Sequence, residues 1–240
     1  MKIIDSLLDT LNFNVPVRDV RQGPFQTAVL SRYCGLAATP HEPGIHHKKT
    51  PVKEAGILMQ KSVLKLAEMA KSPNPYEAAI GMATINSLIK IDNNRCTELN
   101  AGDLLAERSK GKTAALIGHF PFVPKLRQAA RELWVIERQP QTGDLPEDEA
   151  EKYIPVAEVV GITGTTFTNH TIEYLLGLCA PDAFVVILGG TTPLSSVLFA
   201  YGVDAIAGAQ VVDSEAVLQG ISQGATFRQL KGLRLLTMMK

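Results

Sequence analysis

The apolar positions change their period near the middle of the chain. In the second half five short apolar runs stand out: Ala114 to Gly118, Leu133 to Glu137, Val159 to Thr163, Phe184 to Leu188 and Asp204 to Gly208. Each breaks into Gly, Thr, His or Glu where a strand would hand over to a helix, the pattern of βαβ units and a parallel sheet. The first half is mixed. Ile3, Ile4, Leu7, Leu8 and Leu11 form one stripe opposite Asp5 and Asp9, which predicts an amphipathic helix over residues 1–12. Val15 to Arg21 and Phe25 to Arg32 are β-rich and flank Gln22-Gly23-Pro24, which predicts an antiparallel hairpin. Thr39 to Pro51 reads as a loop. Two helices are then expected, Gly56 to Met69 and Pro75 to Ile91, separated by Ser72-Pro73-Asn74.

The pattern therefore predicts an α/β chain in two closely packed units. A smaller N-terminal α+β unit spans residues 1–100, and a doubly wound, mostly parallel sheet spans residues 101–240, with the boundary inside 95–112. In such a sheet ligands bind outside the carboxyl ends of the strands, where strand order reverses, so the five junctions are expected to face one crevice.

Composition narrows the function classes. Lys plus Arg equals Asp plus Glu at 24 each, so no global charge drives the chain onto nucleic acid or an anionic membrane, and neither is an expected partner. Cys34, Cys96 and Cys179 are far apart, odd in number and free of any C-x-x-C spacing, which argues for a reducing compartment and a cytoplasmic location. Asp5 and Asp9 interrupt the first apolar stretch as a signal peptide, and no run approaches the roughly 18 apolar residues that span a bilayer.

Candidate chemistry lies at the strand ends. His119 follows the first predicted strand of the sheet and is a candidate proton carrier, metal ligand or phosphate partner. Glu137 ends the second, where dinucleotide folds place a ribose-binding carboxylate; a structural ion pair with Arg138 is the competing reading. The nicotinamide fingerprint is missing, since Gly118-His119-Phe120-Pro121 stands where G-x-G-x-x-G is needed. Thr163-Gly164-Thr165-Thr166-Phe167-Thr168-Asn169 concentrates hydroxyls and a carboxamide at an expected helix N-terminus, where an anion is favoured. Ordinary threonine capping explains one of those hydroxyls. Gly189-Gly190-Thr191-Thr192 repeats the chemistry after the fourth strand, and the two loops together are expected to line a pocket for an anionic or polyhydroxylated ligand. Asn86 interrupts an apolar helical run and needs a partner if buried.

Two tempting patterns fail. Lys110-Gly111-Lys112-Thr113 lacks the first P-loop glycine, with Ala106 in its place, and precedes a strand rather than following one. His41, His46 and His47, with Cys34 nearby, offer metal-ligand chemistry, but their spacing matches no established site.

These motifs, in their order, resemble an uncharacterised prokaryotic family described as heavy-metal chelation proteins, in which an enolase-N-terminal-like domain precedes a Rossmann-like domain. The resemblance runs through Tyr33-Cys34-Gly35-Leu36-Ala37, Glu77 to Asn86, Ile117 to Pro121, and Val135 to Arg138 with Gly143-Asp144-Leu145-Pro146. It continues through Ile162 to Thr166 with Asn169 and Thr171, Gly189 to Leu194, and Leu198-Phe199 with Gly202. It implies a site between the two domains and a divalent or heavy-metal ion as candidate cofactor, without assigning metal ligands. Two functions follow as expectations. One is a small-molecule or metal-binding protein engaged in heavy-metal chelation in the interdomain crevice. The other is a lyase or transferase acting on an anionic metabolite, with His119 as acid/base and Glu137 as its partner or a ligand clamp. A homodimer is left open.

Overall fold

The computed structural model describes residues 1–40 and 52–240, so His41, His46 and His47 lie outside the described residues. Two sheets organise the chain, a three-stranded antiparallel one in the first half and an eight-stranded, mostly parallel one in the second.

The first half opens with α1 (Lys2–Asp9), which buries Ile3, Ile4, Leu7 and Leu8, the expected stripe. It stops short of residue 12 because the Thr10 hydroxyl donates to the Leu7 carbonyl at 2.7 Å and closes the last turn. The expected hairpin forms from β1 (Asp19–Gln22) and β2 (Gln26–Leu30). A third strand, β3 (Cys34–Ala38), pairs with β2 and was not anticipated, since Gly35 breaks its pattern. A Cβ on Gly35 would lie 2.2 Å from the Ala83 carbonyl oxygen and the Ser87 nitrogen, so glycine is what lets the sheet approach the helix behind it.

That helix is α3 (Pro75–Leu88), with Pro75 in its first turn as expected. It is apolar nearly all round and correspondingly buried, the mark of a central helix. The helix expected from Gly56 is instead a 3-10 turn, Leu58–Gln60, followed by α2 (Val63–Glu68). Gly56 has φ +94, outside helical space, and the Ser62 hydroxyl caps α2 by accepting from the Lys65 N–H.

In the second half β4 (Cys96–Thr97) leads to α4 (Ala101–Arg108), β5 (Thr113–Ile117), α5 (Val123–Ala129), β6 (Glu132–Glu137) and β7 (Leu145–Pro146). Then come α6 (Ala150–Tyr153), β8 (Val159–Thr163), α7 (Ile172–Leu178), β9 (Phe184–Leu188), β10 (Ala205–Val211), α8 (Ser214–Ser222) and β11 (Leu233–Met239). The five expected strands are β5, β6, β8, β9 and β10. Sheet order is β4-β11-β10-β9-β8-β5-β6-β7, parallel from β10 to β7, with β11 antiparallel to β10 and β4 antiparallel to β11. Strand order thus reverses between β5 and β8.

Alternation along the strands serves two layers. Ala114, Leu116, Val135, Val159 and Val186 pack on Leu105 of α4 and Leu126 of α5. Ala115, Ile117, Val160, Ile162 and Ile187 face the other way and join one apolar cluster with Ile3, Leu7, Leu66, Ile80 and Ile85 of the first half. Because that cluster ignores the expected boundary, both halves are predicted to unfold in a single cooperative calorimetric transition. Two well-separated transitions, with a protease-stable fragment beginning near Lys112, would contradict this.

Candidate functional site

At the reversal of strand order the backbone leaves β5 through Gly118, whose φ of +100 is a conformation that L side chains rarely adopt. A Cβ there would meet Thr163 of β8 at 3.1 Å, so glycine is needed both for the turn and for the approach. The Gly118 N–H donates to the Ile136 carbonyl at 2.9 Å, and the His119 N–H donates to Glu137 Oε2 at 2.9 Å. The second oxygen of Glu137 accepts from the N–H groups of Arg138 at 2.8 Å and Gln139 at 3.4 Å. Its carboxylate therefore braces two strand-end turns. The cation near it is otherwise engaged, because Arg138 pairs with Glu147 at 3.3 Å.

The carboxylate at the His119 ring is Asp144, while Glu137 meets the His119 backbone N–H. Asp144 Oδ2 and Oδ1 lie 2.9 and 3.1 Å from His119 Nδ1. The Asp144 side chain is 1% exposed and the His119 side chain 28%. A buried carboxylate requires donors, and Asp144 has a second in the Gln141 N–H at 3.0 Å. A carboxylate only accepts, so Nδ1 carries a proton, and in the neutral imidazole the lone pair is therefore on Nε2. Sequence reading missed Asp144 as a functional residue because it lies 25 residues from His119 and meets it only once β5, β6 and β7 are placed side by side. The available signal was the Gly143-Asp144 turn just after the second predicted strand.

His119 stands at the junction of two connected cavities. The inner one, about 240 Å³, is lined by His119, Glu137, Thr163, Thr165, Thr166 and Asn169. The outer one, about 470 Å³, adds Thr39, Pro40 and Pro75 from the first half of the chain. Within this crevice most of the threonine hydroxyls serve the fold. The helix N-terminus expected after Thr163 is a four-residue 3-10 turn, Gly164–Phe167, and α7 begins only at Ile172. Thr166 and Thr168 donate to the backbone carbonyls of Thr163 and Thr165, each at 2.7 Å, and Asn169 Oδ1 accepts from the Thr171 hydroxyl at 2.7 Å. Thr163 and Thr165, whose hydroxyls lie 3.1 Å apart, are the pair turned to one another at the cavity wall.

The second loop, expected to line the same pocket, is a brace between the two halves. The Thr191 hydroxyl accepts from the Ala38 N–H at 2.9 Å, and Asn86 Nδ2 donates to the Leu36 and Thr191 carbonyls at 2.8 and 3.0 Å. A Cβ on Gly164 would stand 2.5 Å from Thr192 Oγ1, and one on Gly190 would meet the Phe227 ring at 2.6 Å. Thr191 and Thr192 are buried, and Gly189 follows β9 with the Gly189 N–H on the Ala207 carbonyl. None of Asn86, Gly189, Gly190, Thr191 and Thr192 lines either cavity at His119. Asn86, predicted to need a partner, has found two through its nitrogen.

A bare heavy-metal ion finds little here. Among the described residues no group of three or more His, Cys, Asp or Glu side chains could hold one. Burial pushes the Cys34 thiol up to about 12 and the Cys179 thiol up to about 11, and it also raises that of Cys96, and none of the three lines either cavity at His119. No helix among the described residues is long and apolar enough to cross a membrane.

Comparison with known proteins agrees with this architecture. A DUF364 family model, described as "Putative heavy-metal chelation", matches residues 100–240, and a DUF4213 model with the same description matches residues 4–89. An uncharacterized protein of Methanocaldococcus jannaschii is 25% identical over 181 residues, covering 72% of this chain and 70% of that protein. Two crystal structures of DUF364 proteins of unknown function share the fold over 100% of this chain and 98% of theirs. The one from Desulfitobacterium hafniense has a TM-score of 0.84 at 23% identity, and the one from Pyrococcus horikoshii a TM-score of 0.85 at 21%. With more than half of its length matched by the family model, the chain belongs to the DUF364 family.

Proposed function

We propose that this protein binds a small polar ligand that carries a metal ion already held by an organic chelator, in the crevice at the carboxyl ends of β5 and β8. His119 is the side chain that engages the metal. The observation that carries this reading is the His119–Asp144 pair: a histidine that ligates a metal through one ring nitrogen commonly gives its other N–H to a carboxylate, which fixes the tautomer and the ring. One imidazole is too few donors for a bare ion, so the chelator must supply the rest. Local charge points the same way. With Arg138 and Glu147 paired, Glu137 is the carboxylate left on the crevice wall, and it suits a ligand with a cationic centre better than a free anion.

A probe of this chemistry is the nickel–iminodiacetate complex, whose remaining coordination positions accept an imidazole. It is best titrated in a His41→Gln/His46→Gln/His47→Gln background, so that imidazoles outside the described residues do not contribute. The complex is expected to bind at one site, and Asp144→Asn to weaken it about 10–100-fold, as loss of a carboxylate behind a metal-bound histidine does. Equal affinity in the two proteins would overturn the reading.

The same pair supports a second reading, in which Nε2 moves a proton on an anionic metabolite in a lyase or transferase reaction. Under that reading turnover of a carboxylated or phosphorylated substrate disappears with the imidazole.

A further inference from the structure

A second cleft, which shares no lining residue with the His119 crevice, opens between the C-terminal end of α3 and the loop that follows β9. Its volume is about 350 Å³. Three cations converge on it, Arg32, Lys90 and Arg95, against one carboxylate, Asp92, in a chain whose formal charge is balanced overall. None of the three takes part in an ion pair among the described residues. Asp92 is turned to its own backbone, accepting from the Asn94 N–H at 3.0 Å, while Arg32 is steadied by donating to the Asn12 carbonyl at 3.3 Å. Tyr33, Ser195 and Ser196 also line it.

Lys90 also follows the C-terminus of α3, where a cation complements the helix dipole. That accounts for one charge of the three. Arg32 comes from the turn before β3 and Arg95 from the approach to β4, so elements far apart in sequence bring the other two to the same concavity.

We propose that this cleft is a binding site for a compact small molecule bearing two or more negative charges, either phosphates or carboxylates. Charge-assisted bonds from guanidinium forks are the interactions such groups recruit, and a partly enclosed cleft strengthens them relative to open surface. The test is calorimetric titration of the full chain with pyrophosphate and, separately, with citrate, no metal being present. At least one anion is expected to bind one-to-one, more weakly as salt is raised. Arg95→Gln is expected to weaken it about tenfold and Arg32→Gln/Arg95→Gln about a hundredfold. Lys231→Gln, which removes a charge elsewhere, is expected to leave it unchanged, and Arg95→Lys to recover part of what Arg95→Gln loses. Preference for pyrophosphate assigns a phosphate-bearing ligand, and preference for citrate a polycarboxylate. The proposal is overturned if neither anion binds at millimolar concentration, if the double variant, shown folded by its melt, binds like the parent, or if Lys231→Gln costs as much as Arg95→Gln.

Discussion

His119→Asn is expected to keep the fold within about 1 kcal/mol of the parent, as substitutions at partly exposed positions usually do, while abolishing binding of the nickel–iminodiacetate complex. The choice of asparagine decides the contrast. Its carboxamide nitrogen occupies roughly the place of Nδ1 and still donates to Asp144, so the buried carboxylate keeps both donors, but no atom replaces Nε2. His119→Ala removes the donor as well, leaving Asp144, 1% exposed, one hydrogen bond short, and is expected to cost a further 1–3 kcal/mol or so. Thermal melts and titrations on the same preparations separate the roles. A large loss of stability in His119→Asn with full binding in the folded fraction would leave His119 as a structural residue.

Gly81→Ala carries the largest expected effect on stability. Alanine in mid-helix normally gains up to about 1 kcal/mol over glycine. At Gly81 of α3 the added Cβ would stand 1.8 Å from the Ala70 nitrogen, 2.4 Å from its Cα and 2.5 Å from the Met69 carbonyl carbon. All three are backbone atoms, so no rotamer change relieves the clash. The 3-10 turn Met69–Lys71 must move off α3, and the cost is expected at about 3 kcal/mol or above. Gly177→Ala in α7 is the matched control, because nothing lies within 4 Å of its added Cβ, and it is expected to be neutral or stabilising. Urea denaturation of the two variants gives the comparison. Similar midpoints would mean that α3 and the turn yield to each other easily.

How far the chain could be read follows from which interactions are local. Five of the parallel strands announced themselves because their runs are mainly apolar and largely buried, as in Phe184–Leu188, while the two-residue β7 did not. β3 and β11 did not, since Gly35 thins one and Arg234, exposed on an outer strand, breaks the other. Placing His119 at the reversal of strand order needed only that rule and one histidine after the first strand. Its partner needed three-dimensional adjacency that spacing does not encode. The threonine-rich turn was legible as hydroxyl chemistry, yet the plainer reading, capping, takes Thr163, which accepts from the Thr165 N–H, and Thr166 and Thr168 spend their hydroxyls on carbonyls three residues back. The second loop was read as a ligand wall because its composition matches the first; tertiary packing under Asn86 decided otherwise.

The bonds that join the halves bear on how a ligand would arrive. His170 Nε2 donates to the Ala70 carbonyl at 2.9 Å, the Ile3 N–H reaches Glu173 Oε1 at 2.9 Å, and Ser6 and Tyr201 share a hydroxyl contact at 2.6 Å, in addition to the Ala38–Thr191 and Asn86 ties. Spread over α1, α3, β3 and the turn after α2, these contacts leave no single hinge about which one half could swing. A jaw-like swing of one half on the other would have to break these contacts together, so the described walls stand in place before a ligand arrives. Association with such a preshaped cleft follows one-step kinetics, and the lifetime of the complex, rather than the speed of encounter, is where related ligands would differ.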